Sequence, residues 1–232
     1  MRDYGDLIDD FIKELKGFQR MENVFNPWAN IDAVYDVGEN AQLIRCSNLK
    51  KYLLNRKNAK FVLIAEAPGY QGCHFSGIAM TSERIILKNK YNTFVGMKRS
   101  SQKEKLQSQP KIVQNYGFCE PTATIVWKQM VEKLHIKPGD FILWNVFPFH
   151  PYNPYNILSN RTPSAEELEQ TEEILKEFLY IFKEKTLIAV GNTSQNTLKK
   201  FKNKLNITVQ NVRHPSYGGA AQFCKQITSI MQ

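Results

Sequence analysis

Four short, largely apolar runs narrow what this chain can fold into. FVLIA (61–65), FILWNVFPF (141–149), TLIAVG (186–191) and ITVQNV (207–212) have no helical period, and turn residues bound them. The stretches around them read as helices. Tyr4–Phe18 carries apolar residues at helical spacing, and Ala41 to about Leu54 reads as a second helix. Thr122–Leu134 places Ile125, Val126, Met130, Val131 and Leu134 on an apolar face. Ser164 and Glu167 form a capping-box pattern just after Pro163, opening a helix to about Lys183. Asn192 opens another with Leu198, Phe201 and Leu205 inward, and Ala220–Met231 closes the chain. Strands joined through helices of this length pair in parallel with right-handed crossovers. The expected fold is a three-layer α/β/α sandwich.

At 232 residues, with 42% hydrophobic and 23% charged residues, one domain spanning 1–232 is expected. Residues 1–40 form a helical extension packed on it. Residues 88–112 form a basic surface loop: Lys88, Lys90, Lys98, Arg99, Lys103, Lys105 and Lys111 face one acid, Glu104, in a stretch rich in Ser, Gln and Asn. It reads as a mobile excursion that either stays solvated or approaches phosphates. The net charge of +9 favours a polyanionic partner, nucleic acid first. No apolar run approaches the ~18 residues of a membrane span. The acidic N-terminus lacks a secretory core, so a cytoplasmic protein is expected. Cys46, Cys73, Cys119 and Cys224 lie far apart with no C-x-x-C pair. They read as free thiols in a reducing compartment rather than as ligands of a metal.

In a parallel sheet every carboxyl end points to one edge, where ligands bind. Glu66 ends the first run and turns at once through Ala67, Pro68 and Gly69. Asn145 lies late in the second run, and His214 follows the fourth. Phe75, on the Gly-flanked loop GCHFSG, hangs over the same edge. A carboxylate, an amide, an imidazole and an aromatic ring suit cleavage of a base from a sugar. Asn145 offers a donor and an acceptor to the Watson–Crick edge of a flipped pyrimidine. Phe75 offers a stacking face. His214 can donate to the oxygen that gains charge as the base departs. Glu66 can position and polarise a water.

EAPG (66–69), GCHFSG (72–77), WNVFPFHP followed by NRTP, and HPS (214–216) together resemble the uracil-DNA glycosylase superfamily, in its order, over roughly residues 42–224. The closest look is to the branch whose first motif is GEAPG. The resemblance implies a central four-stranded parallel sheet and a base-flipping hydrolase that needs no cofactor. It makes Glu66 and His214 catalytic and puts the base against Ala67, Pro68, Gly69, Phe75 and Asn145. It gives the segment after His214 to the minor groove, with Arg213 and Ser216 beside the DNA and Tyr217 as the wedge. Lys98, Arg99 and the lysines near 199–204 would meet phosphates.

The chain also departs from that branch. Ala65 replaces a Gly. Leu43 and Phe149 stand where iron–sulfur cysteines are expected, leaving only Cys46 to match, so the cluster is expected to be absent. Gly69 takes the place of a Tyr that rejects thymine in strictly uracil-specific relatives. The expected activity is monofunctional excision of uracil from single- and double-stranded DNA by a monomer. The alternatives are a nucleic-acid binder that keeps the pocket without the chemistry, a glycosylase for another damaged base, and a hydrolase of free nucleosides.

Overall fold

The computed structural model describes residues 3–202 and 204–231. Helix α1 (Tyr4–Gly17) and strand β1 (Val24–Phe25) precede α2 (Ala41–Leu54) and β2 (Phe61–Ala65). After β2 come α3 (Cys73–Ser76), α4 (Glu83–Lys88), a 3₁₀ turn (Glu104–Leu106) and α5 (Lys111–Tyr116). Helix α6 (Pro121–Trp127) runs into a π-helical turn (Lys128–Lys133) and leads to β3 (Phe141–Asn145) and β4 (His150–Pro151). Then follow α7 (Ala165–Gln170), α8 (Glu172–Phe182), β5 (Thr186–Val190), α9 (Asn192–Lys202), β6 (Val209–Val212) and α10 (Ala220–Met231). Strands β2, β3, β5 and β6 form one parallel sheet in the order β3-β2-β5-β6. The α/β architecture expected from the apolar runs is the one found.

Strands β2, β3 and β5 are covered on both faces, which is why they read as nearly unbroken apolar runs, whereas the edge strand β6 exposes Gln210 and Asn211. All five residues of β3 are buried. Alternate side chains point to opposite layers. Trp144 stacks on Phe178 of α8 (centroids 4.7 Å) and meets Phe11 of α1 (5.4 Å). Phe141 packs on Trp127 of α6 on the other face (5.0 Å). Helix α1 starts at Asp3, whose carboxylate accepts from the Gly5 N–H, and buries Ile8, Phe11, Ile12 and Leu15.

Two boundaries differ from the sequence reading. The long second run pairs in the sheet only to Asn145, and Val146 and Phe147 then donate to the carbonyls of Ala65 and Glu66 (2.9 and 3.0 Å). Past Pro148 the chain leaves the sheet, and His150–Pro151 pairs antiparallel with β1. The helix expected from Ser164 to about Lys183 breaks at Thr171, a buried residue whose hydroxyl donates back to the Glu167 carbonyl (3.0 Å). Such back-bonding competes with the helix ladder. The capping box itself is formed: Glu167 N–H donates to Ser164 Oγ (3.1 Å) and Ser164 N–H to Glu167 Oε2 (2.7 Å). Ser164→Ala should therefore lower stability by about 1 kcal/mol, read as a lower urea midpoint at unchanged slope.

The basic excursion is stitched down instead of mobile. Glu83 is buried and accepts from the backbone N–H groups of Ser100 and Ser101 (2.6 and 3.0 Å) and from the Ser101 hydroxyl. Asp36, also buried, pairs with Arg45 (2.8 Å), which reaches Ser100 Oγ as well. Buried carboxylates need donors, and the 88–112 segment supplies them.

Candidate active site

The chain steps from β2 to β3 on one side, then returns to β5 and β6 on the other. The topological switch point therefore lies between β2 and β5, where ligands settle in open α/β sheets. A cleft of about 540 Å³ opens there. Glu66–Gly69 from the β2 end, 190–193 from the β5 end, and Arg213, His214, Ser216 and Tyr217 beyond β6 form one side. Asn160–Thr162, Glu120 and Thr122 complete it.

Glu66 is half-buried at the switch point. Its Oε2 accepts from the Thr193 hydroxyl at the start of α9, while Oε1 has no partner among the described residues. One oxygen is thus fixed and the other is left for water. His214 is set by its own loop. The Ser216 backbone N–H donates to Nδ1 (3.1 Å), and Ser216 Oγ lies 2.7 Å from the same atom. Nδ1 is therefore the acceptor, and the neutral ring carries its proton on Nε2. Burial pulls the His214 pKa below its ordinary value, with Glu66 raising it and Arg213 lowering it. The result is a neutral imidazole with an unpaired Nε2–H donor. Gly191 (φ +90°) allows this approach, since a Cβ there would lie 3.0 Å from the Cβ of His214.

Asn145 sits at the end of β3 opposite Ala65, 2% exposed, and its Oδ1 is buried without a hydrogen-bond partner. Buried polar atoms without a partner are uncommon in folded proteins. Pro68 is buried, and Gly69 lies against the Asn160 amide, whose Oδ1 accepts from the Tyr70 N–H (2.9 Å). Tyr217 is 98% exposed with φ +50°. An exposed aromatic in the left-handed region is strained, and here it stands at the cleft mouth.

Four sequence-predicted residues lie off the cleft lining: Asn145, buried at the end of β3, and three others. Phe75 is not on the cleft wall: it is 1% exposed, with its ring stacked on Phe118 (5.4 Å, 16°) and edge-on to Tyr35 and His74. Phe118 covers one face of the ring. Arg99 is not free for phosphates, since its guanidinium donates to the Gln114 carbonyl and Ser101 Oγ (both 2.9 Å), and its Nε is buried. Lys98 is exposed, but its backbone is clamped by Asn48 away from the cleft lining.

The family profile described as "Uracil DNA glycosylase superfamily" matches residues 52–227, more than half of the chain. The chain belongs to the uracil-DNA glycosylase superfamily. Its fold is that of wild-type SMUG2 from Pedobacter heparinus, at a TM-score of 0.63 and 13% identity, covering 99% of this chain and 97% of that one. No curated protein sequence matches significantly. Membership makes this a DNA glycosylase of a DNA-repair family.

Within this superfamily fold, sequence reasoning missed Thr193, Asn160, Arg161 and Glu120. Asn160 and Arg161 lie in the NRTP signature, which was a usable signal. Arg161 is tied to both oxygens of Glu167 (2.7 and 2.5 Å), so it braces this wall. Among the described residues no three His, Cys, Asp or Glu side chains come together to hold a metal. Cys46, Cys73, Cys119 and Cys224 are free thiols. No helix among the described residues is long and apolar enough to cross a membrane.

Proposed function

We propose that this cleft hydrolyses the N-glycosidic bond of uracil flipped out of single- or double-stranded DNA, leaving free uracil and an abasic site. The observation that carries this reading is the pairing of a Thr193-held carboxylate with a neutral Nε2–H donor in one cleft. Glu66 Oε1 orients a water on C1′ of the sugar and accepts its proton as the C1′–N bond breaks. The bond electrons leave with the base, and His214 Nε2–H donates to the carbonyl oxygen on which that charge collects. Asn145 Oδ1 accepts the imino N–H of uracil, and its amide donates to the neighbouring carbonyl. A base stacks on Phe75 only after Phe118 moves off that face.

Tyr217 fills the gap left in the duplex, and Arg213 meets the flanking phosphate. The protein acts as a cytoplasmic monomer. Gly69 leaves the pocket side without a bulky guard, with only the Asn160 amide beside it. A wider range of bases is therefore the second reading, and uracils substituted at C5 discriminate the two. The test is incubation of oligonucleotides carrying uracil opposite G, opposite A or in a single strand, followed by alkaline cleavage. Strand breaks only after alkali, with or without EDTA, are the expected result. Tight binding without cleavage in any context would favour a binder instead.

A further inference from the structure

Glu120 shares the cleft with Glu66 and His214 but has no place in the chemistry above. It stands at the N-cap of α6, just before Pro121, yet its side chain makes no capping hydrogen bond. Instead the carboxyl reaches over the motif-one loop. A Cβ on Gly72 would lie 2.2 Å from Oε2, so only glycine there admits the carboxyl. Oε2 is shut off from water and has no hydrogen-bond partner. Helix α6 lies on the face of the sheet to which Phe141 points, through the Phe141–Trp127 contact. Asn145, four residues along the same strand, points to that face too. The two buried, unpartnered oxygens, on Glu120 and Asn145, thus lie on one side of the sheet.

We propose that Glu120 contacts the extruded base, and that it does so as the neutral acid, donating a hydrogen bond to a base carbonyl oxygen. This deepens the excision reading above and rests on it. Burial, with no cation paired to it among the described residues, pushes the Glu120 carboxyl up to about 7. From α3 it faces the Cys73 thiol, itself pushed well up by burial and then by the Glu120 charge. On its own element, Thr124 Oγ1 donates to the Glu120 backbone carbonyl (3.1 Å) and contacts the Cys119 thiol, while Thr122 lines the cleft. Glu66, Arg161, Arg213 and His214 line the same cleft. A neutral carboxyl favours the charge growing on the leaving base, and an ionised one opposes it. Glu120 keeps its proton throughout. The proton taken from water passes through Glu66.

The test is single-turnover excision of uracil from a single-stranded oligonucleotide by wild type, E120Q and E120A, from about pH 5.5 to about pH 9. Wild type should lose about tenfold in rate as pH rises through about 7. E120Q, a permanently neutral donor, should stay within about tenfold of wild type at low pH and lack that decline. E120A should fall about ten- to a hundredfold at low pH. Thermal unfolding of both variants guards against misfolding, and a desolvated carboxyl is not needed for the fold. An alkaline decline retained in E120Q, or an E120A profile matching wild type, overturns the inference while the excision reading stands. A wild type that excises no uracil at any pH overturns both.

Discussion

Glu66→Gln is expected to lower the single-turnover rate of uracil excision about 10²–10⁴-fold while leaving oligonucleotide affinity within about twofold. The substitution keeps the volume of the side chain and an oxygen for the Thr193 hydroxyl, so the switch-point geometry persists. What is lost is the second carboxylate oxygen, the proton acceptor for water and the negative charge beside a cationic sugar. The measurement compares rates at saturating enzyme with binding by fluorescence anisotropy. Equal losses in rate and affinity would mean that Glu66 supports DNA binding and not the chemistry.

His214→Ala has the next largest expected effect, a drop of about 10²–10³-fold, the usual worth of one donor at a developing oxyanion. Its pH signature separates it from a structural role. Burial lowers the His214 pKa, and Ser216 holds Nδ1 as an acceptor, so the active neutral form persists below the ordinary imidazole value. Wild-type excision should therefore show no acid decline near pH 6.5 and fall only at lower pH. Protonation of Nδ1 would break the Ser216 N–H contact and swing the ring. An acid limb at the ordinary histidine value would show that His214 is not held as drawn here.

Most of the sheet was legible because β2 and β5 are buried on both faces, so burial writes itself into 61–65 and 187–190 as apolar runs. Glu66 and His214 followed from one geometric rule, that carboxyl ends of parallel strands share an edge. What the sequence hid were partners remote along the chain. Thr193 reads as an ordinary helix start, and nothing local says that its hydroxyl meets Glu66. Glu120 lies just before the helix expected from Thr122, and only the approach of its carboxyl to Gly72 shows where that side chain goes. Phe75 was placed by its motif, whereas the ring that covers it, Phe118, lies far along the chain between the basic loop and the helix expected from Thr122. Arg99 looked free for phosphates because nothing local shows that its guanidinium reaches the Gln114 carbonyl in α5 as well as Ser101 Oγ.

The central claim is that the cleft breaks the bond between uracil and deoxyribose by hydrolysis. The most direct measurement follows one uracil-containing single-stranded oligonucleotide by mass spectrometry, with wild type and Asn145→Ala side by side. The account predicts free uracil and an intact strand with an abasic site in equal amounts from wild type, and a rate lowered severalfold or more by loss of the base-reading amide. An unchanged oligonucleotide despite binding, or equal release by both proteins, would contradict it.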